Sequence, residues 1–533
     1  MEEKHNPEFI FIFLILFFLV LILRLFQLQI VQGKTNRFLA ENNRIRKILI
    51  PAQRGLFFDR HGEPLVQNQP IFHLKSGAED KKMGREEALT LQAEGKEVEI
   101  SLRRNYLTGE IFAHLLGYLG EVSLEELKQK KLELEGYRPG SLIGRFGVEM
   151  QYEKQLKGRD GGELVEVNTA GEIVRRINKV LPQSGKSFTL AVDRDLQEVA
   201  AGEMAGKKGA VIASRPQTGE ILVLYSSPSF DPDKVVGAVS DEENLPLLNR
   251  VISGIFAPGS TFKIVTSIAG LQEGKISENS LINDPGVIVV NDYRYSNWYF
   301  TQYGKTEGEI NLIKALARST DTFFYQLGER LGEEKLISWI KKFHLDQKFG
   351  IDLPGESAGF VATPEWKQEI RGESWFLGNT YHLAIGQGDL DLTPLGVNQM
   401  TSVIASGGKM CIPRILRVGA ENTPYKEDCF DLGINKENIE IVKKGMIGAC
   451  SAGGTGWPFF DFQIPGLPAG RQVACKTGTA ETGDGKTTHA WFTVFAPIDN
   501  PEIVLTVLVE KGGEGSYVAA PIAKEILKEY FRE

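Results

Sequence analysis

An α/β (α+β) protein on a membrane anchor is the fold class that this 533-residue sequence predicts. Three observations carry that expectation. The chain opens on an uncharged apolar run, "FIFLILFFLVLIL" from Phe9. Strand-like apolar segments stand just after residue 187 and again near the C-terminus, and helical patterns fill much of the span from 260 to 450 between them. Strands at both ends with helices inserted between them predict one mixed or antiparallel sheet.

Composition bounds the rest. With 42% hydrophobic residues there is ample material for a large core. Lys and Arg number 61 against 69 Asp and Glu, a net of −8, so no basic excess points to a nucleic-acid partner. Cys411, Cys429, Cys450 and Cys475 form no C-x-x-C pair, which removes the usual signal for a zinc ribbon or a redox dithiol; spacing alone does not say whether any two are bonded.

The segment 9–30 is long enough to cross a hydrocarbon layer of about 30 Å, after a short tail, 1–8. No small-x-small cleavage site follows it, so the expectation is an uncleaved anchor. Arg24, Lys34 and Arg37 follow the span while Glu2, Glu3 and Lys4 precede it, so the charge count does not favour a cytoplasmic N-terminus.

From Asn36 an exposed helical lead-in gives way to strand-like alternation and a turn at Asp59-Arg60-His61-Gly62. Residues 76–99 are highly charged and predict a solvated helix and loops. "SLEELKQKKLELEG" predicts a helix with Ser123 as N-cap and Glu126 completing a capping box. "GRFGVEMQYEKQLKGRDGGELVEV" predicts a helix, a Gly-rich turn and a strand. A boundary falls near 187, dividing 31–186 from 187–533. Past it, "GAVIASRPQTGEILVLYSS" predicts two strands across a Pro-Gln-Thr-Gly turn, and "HAWFTVFAP" and "EIVLTVLVE" predict two more before a terminal helix.

The stretch "KTGTAETGDGKTT", 476–488, supports two chemistries. Ala480 with Gly485-Lys486-Thr487 fits a relaxed phosphate loop, but such a loop needs a helix directly after it, and "HAWFTVFAP" is strand-like. Gly483-Asp484-Gly485 then becomes a hairpin tip. Lys476-Thr477-Gly478 instead belongs with a Ser-x-x-Lys nucleophile, in which one helical face carries both side chains so that the amine can take the serine proton. A second such triplet, Lys75-Ser76-Gly77, lies in the charged N-terminal region.

Three Ser-x-x-Lys copies exist: Ser260 with Lys263, Ser338 with Lys341, and Ser406 with Lys409. Ser338 sits in an amphipathic pattern whose lysine belongs on a solvated face. Ser406 precedes Gly407-Gly408 and a turn. Ser260 follows Pro258-Gly259 at the start of an apolar helix ending near Gly274. There the backbone N–H groups of a helix start favour a developing oxyanion, and on this stretch alone nucleophile and simple N-cap stand as equal readings. Ser319-Thr320-Asp321 interrupts two helical patterns, with Ser319 either facing a cleft or capping the second helix. A literal Ser-x-Asn at Ser277-Glu278-Asn279 lies too close behind the Ser260 helix to form an opposite wall. His489 and Trp491, after the hairpin, are expected to pack.

In this order the elements resemble a transpeptidase domain of the penicillin-binding proteins, whose motifs include Ser-x-x-Lys and Lys-Thr-Gly. "PAQRGLFFDRHGEPL", "GRFGVEMQYEKQLKGRDG", "GIDLPGESAGFVATPEW" and "AIGQGDLDLTPLGVNQM" look like the long blocks of class B members, covering nearly the whole chain. "STDTFFYQLG" and "HAWFTVFAP" resemble the elongation branch, penicillin-binding protein 2. Asp321 stands where the wider superfamily usually has Asn, and the head region after Pro70 is short for the family.

The resemblance implies a two-part ectodomain: an elongated pedestal over 31–186 and a penicillin-binding transpeptidase domain over 187–533, with a mainly antiparallel sheet flanked by helices. It implies a D,D-transpeptidase acting on peptidoglycan stem peptides ending in D-Ala-D-Ala, with possible D-Ala-D-Ala carboxypeptidase side activity, no metal or cofactor, and β-lactams as inhibitors. Ser260 is the implied nucleophile and Lys263 its base. Ser319 relays a proton, Asp321 positions substrate or Lys263, and Lys476 is a second cation. Thr477, Gly478 and Thr479 bind substrate, and the N–H groups of Ser260 and Thr479 form the oxyanion hole. The N-terminus is implied to be cytoplasmic and the catalytic part extracytoplasmic, with a SEDS-type glycosyltransferase and elongation-complex proteins as partners. A division-type enzyme, a β-lactamase or sensor, an inactive scaffold and a nucleotide hydrolase are the competing readings.

Overall fold

The computed structural model describes residues 7–76, 79–94, 98–168, 173–423, 428–467 and 472–532. Residues 1–6 of the expected tail and Gly77 of the second Lys-Ser-Gly triplet lie outside them. By contacts the chain forms two compact units, Met1–Gly55 with Asn68–Asn105 and Lys157–Lys186, and Leu56–Gln67 with Tyr106–Leu156 and Ser187–Glu533.

In the first unit, helix α1 (Pro7–Phe26) runs through one π-turn to Val31. Glu8–Val31, 24 residues, is long and apolar enough to cross a membrane, and none of it is buried by protein. Helix α2 (Gly33–Arg44) is the expected lead-in to β1 (Ile45–Ile50), which pairs antiparallel with β2 (Gly161–Val167); β3 (Ile173–Val180) completes the sheet. Arg176 pairs with Glu163 at 2.8 Å across it, and Arg44 pairs with Glu166. The charged stretch 76–99 has the expected helix but forms strands where loops were expected. It contributes a strand at Glu79–Met83, a helix at Arg85–Ala93 and the start of a strand at Val98–Tyr106, the two strands flanking Val66–Ser76. Val98, Ile100 and Leu102 alternate with polar residues, a period-two pattern masked by the charge around it.

In the second unit, helix α3 (Leu124–Gln129) has the expected capping box, Ser123 Oγ accepting from Glu126 N at 3.2 Å and Ser123 N donating to the Glu126 carboxylate at 3.1 Å. The helix is shorter than its pattern. Lys131 takes a left-handed φ of 53°, and a 3-10 turn follows at Leu132–Glu135. That break lets Leu132 join Val122, Leu127 and Tyr137 in a small core.

The large sheet is built from β4 (Gly209–Ser214), β5 (Ile221–Ser227), β6 (Ala474–Glu481), β7 (Thr488–Ala496) and β8 (Ile503–Val509), in the order β5-β4-β8-β7-β6 and antiparallel throughout. Both faces are covered, so its strands are apolar runs whose alternation shows only in packing. Ile212, Trp491, Phe495 and Val504 join one core; Val211, Phe492, Val494 and Leu505 join another. Among the helices around it are, in chain order, α4 (Arg194–Glu203), α5 (Lys263–Gln272), α6 (Trp298–Tyr303), α7 (Leu312–Arg318), α8 (Asp321–Leu331), α9 (Pro394–Ala405), α10 (Lys436–Ala449) and α11 (Ala519–Tyr530). Leu196, Ala200, Ile522 and Ile526 of α4 and α11 belong to the second core. All twelve residues of α9 are buried under the other face, where Asn398 Nδ2 donates to Val504 O at 3.1 Å and Thr401 meets Thr493 at 2.9 Å. This layering leaves β6 at the sheet edge, bordered by the start of α5 and the α7–α8 turn.

Candidate active site

Ser260 lies in a 3-10 turn, Gly259–Phe262, that runs directly into α5. The turn presses against the edge strand. A Cβ on Gly259, whose φ is +53°, would sit 2.8 Å from Thr479 O, and one on Gly478 would sit 2.9 Å from Thr261 Cγ2. Glycine at both positions is what permits the approach. Trp491, fully buried, donates from Nε1 to Ala257 O at 3.0 Å and so steadies the chain just before Ser260, while His489 packs edge-on against Phe256 with ring centroids 5.3 Å apart. Ser260 itself is half-buried, and its hydroxyl is hydrogen-bonded to no described residue.

One turn on, Lys263 is fully buried. Its Nζ donates to Asp321 Oδ1 at 2.6 Å, to Ser319 O at 2.9 Å and to Ser319 Oγ at 3.3 Å. Burial pushes its pKa down, and the Asp321 carboxylate opposes that shift. Ser319 closes α7 in the left-handed conformation, φ 57° and ψ 38°, with Thr320 N donating back to Ala315 O at 3.0 Å. A non-glycine residue there costs about 1 kcal/mol or more. What it provides is the direction of the hydroxyl, which points at two amines and caps no helix.

The second amine is Lys476, also fully buried, whose Nζ donates to Ser319 Oγ at 2.8 Å and to Thr477 O at 3.0 Å. Strand alternation sends Lys476 inward and Thr477, Thr479 and Glu481 to the opposite face. Among the described residues no carboxylate contacts Lys476. Burial first, then the charge of Lys263, hold its pKa well below the ordinary lysine value, with Asp321 pulling the other way. Two buried amines thus share one carboxylate.

Along β6, Thr477 Oγ1 lies 2.7 Å from Thr455 Oγ1. Thr479 is exposed, and its carbonyl accepts from Gln387 Nε2 at 3.3 Å. A strand residue directs its N–H and C=O to the same side, so the Thr479 N–H also faces the free edge, beside the N–H of Ser260 at the helix start.

Several partners carry no strong sequence signal. Thr455 stands in a Gly-rich run, Gly453-Gly454-Thr455-Gly456, that matches no catalytic motif. The disulfides Cys450–Cys475 and Cys411–Cys429 join residues whose spacing announces nothing. Cys450–Cys475 ties the end of α10 to the strand residue next to Lys476, and a Cβ on Gly456 would lie 2.8 Å from Cys475 Sγ, so the Thr455 loop rests on that bridge.

The other motif copies are elsewhere and otherwise engaged. Ser338 and Lys341 are both exposed on the helix Glu333–Lys342. Ser406 Oγ is spent on its own turn, bonded to Lys409 O at 2.5 Å and Lys409 N at 3.2 Å. Ser277 pairs with Ser280 within a turn. At the phosphate-loop match the chain forms the β6–β7 hairpin, and Asp484 accepts from Lys486 N at 2.8 Å and Thr487 N at 3.0 Å. A protein carboxylate already occupies the loop donors that a phosphate would need.

The chain as a whole is similar to known proteins. The family model for the penicillin-binding protein transpeptidase domain matches residues 209–528, more than half the chain, and that for the penicillin-binding protein dimerisation domain matches 73–190. The peptidoglycan D,D-transpeptidase MrdA of Haemophilus influenzae is 31% identical over 96% of this chain and 89% of its own length. Among solved structures, penicillin-binding protein 2 from Helicobacter pylori, in complex with MreC, superposes with a TM-score of 0.78 at 28% identity, covering 91% of this chain and 98% of that one. Pseudomonas aeruginosa penicillin-binding protein 2, in complex with WCK 5153, gives 0.73 at 31% identity over 92% and 97%. The chain belongs to the penicillin-binding protein transpeptidase family and is a class B member of the penicillin-binding protein 2 type.

Proposed function

We propose that this chain is an elongation-type peptidoglycan D,D-transpeptidase in which Ser260 forms the acyl-enzyme. The Ser319 hydroxyl carries the residue assignment, lying 3.3 Å from Lys263 and 2.8 Å from Lys476 and so joining three motifs far apart in sequence. Charge balance supports one ammonium, shared between the two amines through Ser319 and favoured at Lys263 by Asp321. In its neutral state Lys263 takes the proton of Ser260 as Oγ bonds to the penultimate carbonyl of a stem peptide ending in D-Ala-D-Ala. The N–H groups of Ser260 and Thr479 receive the oxyanion, each such donor being worth roughly 2.7–4 kcal/mol. As the amide breaks, the proton passes through Ser319 to the leaving D-alanine. An amine of a second stem then attacks the ester and gives a proton to Lys263. The new amide forms, and Ser260 regains its hydrogen. Thr477 and Thr479 hold the donor carboxylate, Gly478 keeps the strand close, and β-lactams acylate the same serine.

The domain assignment follows: tail 1–8, anchor 9–30, pedestal 31–186 with a shortened head, transpeptidase 187–533. Glu8–Val31 anchors the protein in the cell membrane with the N-terminus cytoplasmic, because the substrate lies outside. Elongation-complex proteins are the partners by likeness to the relative solved with MreC, together with a SEDS-type glycosyltransferase. The edge strand β3, with exposed Val174, Ile177 and Val180, supports an association surface in the first unit. The test is labelling of the full-length protein by fluorescent penicillin, with Ser260→Ala and Ser406→Ala alongside, followed by crosslinking of D-Ala-D-Ala stems. Labelling lost only in Ser260→Ala is expected; labelling that survives it overturns the assignment.

A further inference from the structure

Asn297 occupies the N-cap position of α6 but does not cap that helix. An asparagine there ordinarily accepts from the N–H groups of its own first turn. Here its fully buried amide is turned away. Oδ1 accepts from the backbone N of Asp321 at 3.3 Å, and Nδ2 donates to Asp284 Oδ2 at 3.0 Å. The N–H left over at Trp298 donates to Asp321 Oδ2, again at 3.3 Å. Two helices therefore cap each other: Asn297 of α6 serves Asp321 of α8, and Asp321 serves α6.

Asp284 anchors the exchange. It is 2% exposed and accepts from Gly286 N at 2.8 Å, Glu307 N at 2.8 Å, Asn297 Nδ2, and Thr322 Oγ1, which follows Asp321 on α8. All four lone-pair positions of the carboxylate are in use. Residues 284–307 thus form an arch with both feet on one buried carboxylate and its far end, Asn297-Trp298, on Asp321. Arg318 braces the same end, with its guanidinium over the Trp298 ring, a bond to Glu307 at 2.7 Å and another to Gly453 O at 2.9 Å.

We propose that Asn297, held by Asp284, is a positioning residue that fixes the Asp321 carboxylate so that Oδ1 alone is presented to Lys263. This rests on the transpeptidase reading of the cleft. Without the Asn297 amide the backbone at Asp321 loses its acceptor and the carboxylate is free to turn. Four groups face that carboxylate: Lys263 from α5, Lys476 from β6, Tyr325 from α8 and the Trp298 N–H from α6. A misplaced Asp321 gives less support to the Lys263 ammonium, so the amine releases its proton more readily.

The experiment compares the full-length protein with Asn297→Ala and Asn297→Asp, following the second-order rate of acylation by fluorescent penicillin from pH 5 to 9 together with Tm. Asn297→Asp keeps the acceptor for Asp321 N and donates to Asp284 while protonated. Asn398→Ala removes a buried amide that touches none of the site residues and serves as the folding control. Asn297→Ala is expected to acylate roughly 10- to 100-fold more slowly, with its acid limb moved to lower pH. Asn297→Asp is expected to retain more activity at low pH than at high, and Asn398→Ala to lower Tm without changing the profile. An unchanged rate and profile in both Asn297 variants overturns the proposal, as does a loss that tracks Tm as it does in Asn398→Ala. Absence of acylation in the unsubstituted protein would sink the transpeptidase reading itself.

Discussion

Ser260–Lys263 and Ser406–Lys409 are the same pattern in two environments. At the first, the lysine is fully buried, is paired with Asp321 and shares a serine hydroxyl with a second buried lysine from another element. At the second, the serine hydroxyl bonds the backbone of its own lysine within one tight turn at the end of α9. The three-residue spacing is the same in both. At the first, desolvation lowers the pKa of Lys263, and desolvation together with the charge of Lys263 lowers that of Lys476. The lesson is that reactivity belongs to the enclosure and not to the spacing.

The most severe test of that contrast is the serine pair itself. Ser260→Ala is expected to abolish penicillin acylation, whereas Ser406→Ala leaves the rate within about twofold and costs about 1 kcal/mol at most in chemical denaturation. Next comes the carboxylate. Asp321→Ala leaves the buried Lys263 without its ion-pair partner, and acylation is expected to fall roughly 100-fold. Asp321 raises the proton affinity of Lys263, so its removal moves the acid limb of the rate profile to lower pH; a limb moved upward would break the argument.

The bridge beside Lys476 tests how far the enclosure depends on its walls. Cys450→Ser with Cys475→Ser opens a link of sequence separation 25, and a loss of about 3 kcal/mol is expected by denaturation, absent when the unsubstituted protein is compared under reductant. Lys476 then sharpens the electrostatic half. Its folded pKa lies below its unfolded value, so the folded state binds fewer protons and stability rises with pH between that lowered pKa and 10.5. Lys476→Met is expected to flatten that part of a Tm-against-pH curve. The smallest expected effect is Thr455→Val, which leaves Thr477 Oγ1 without its 2.7 Å partner; a few-fold rise in the penicillin concentration needed for half-maximal acylation rate, with the limiting rate little changed, is the expected signature.

Much of the architecture was legible because strands and helices here obey local rules. The capping box at Ser123, the hairpin after Glu481 and the two strands around Pro216–Gly219 stand where their patterns predict. Where prediction failed, a local pattern was outvoted. Lys131 breaks a helix so that Leu132 is buried, and the strand from Val98 hides its alternation in charge.

The sequence by itself determined the anchor's length, where the sheet's strands lie, and the residue types on which the chemistry draws, since these follow from apolar period, turn composition and side-chain identity over a few residues. Tertiary structure alone decided which Ser-x-x-Lys is enclosed, that Ser319 takes a left-handed turn between two amines, that Cys450 meets Cys475, and that Asn297 caps a helix other than its own. The contacts behind them join residues at least 24 positions apart, and burial, which sets their charge and their hydrogen-bond partners, is a property of the packed chain.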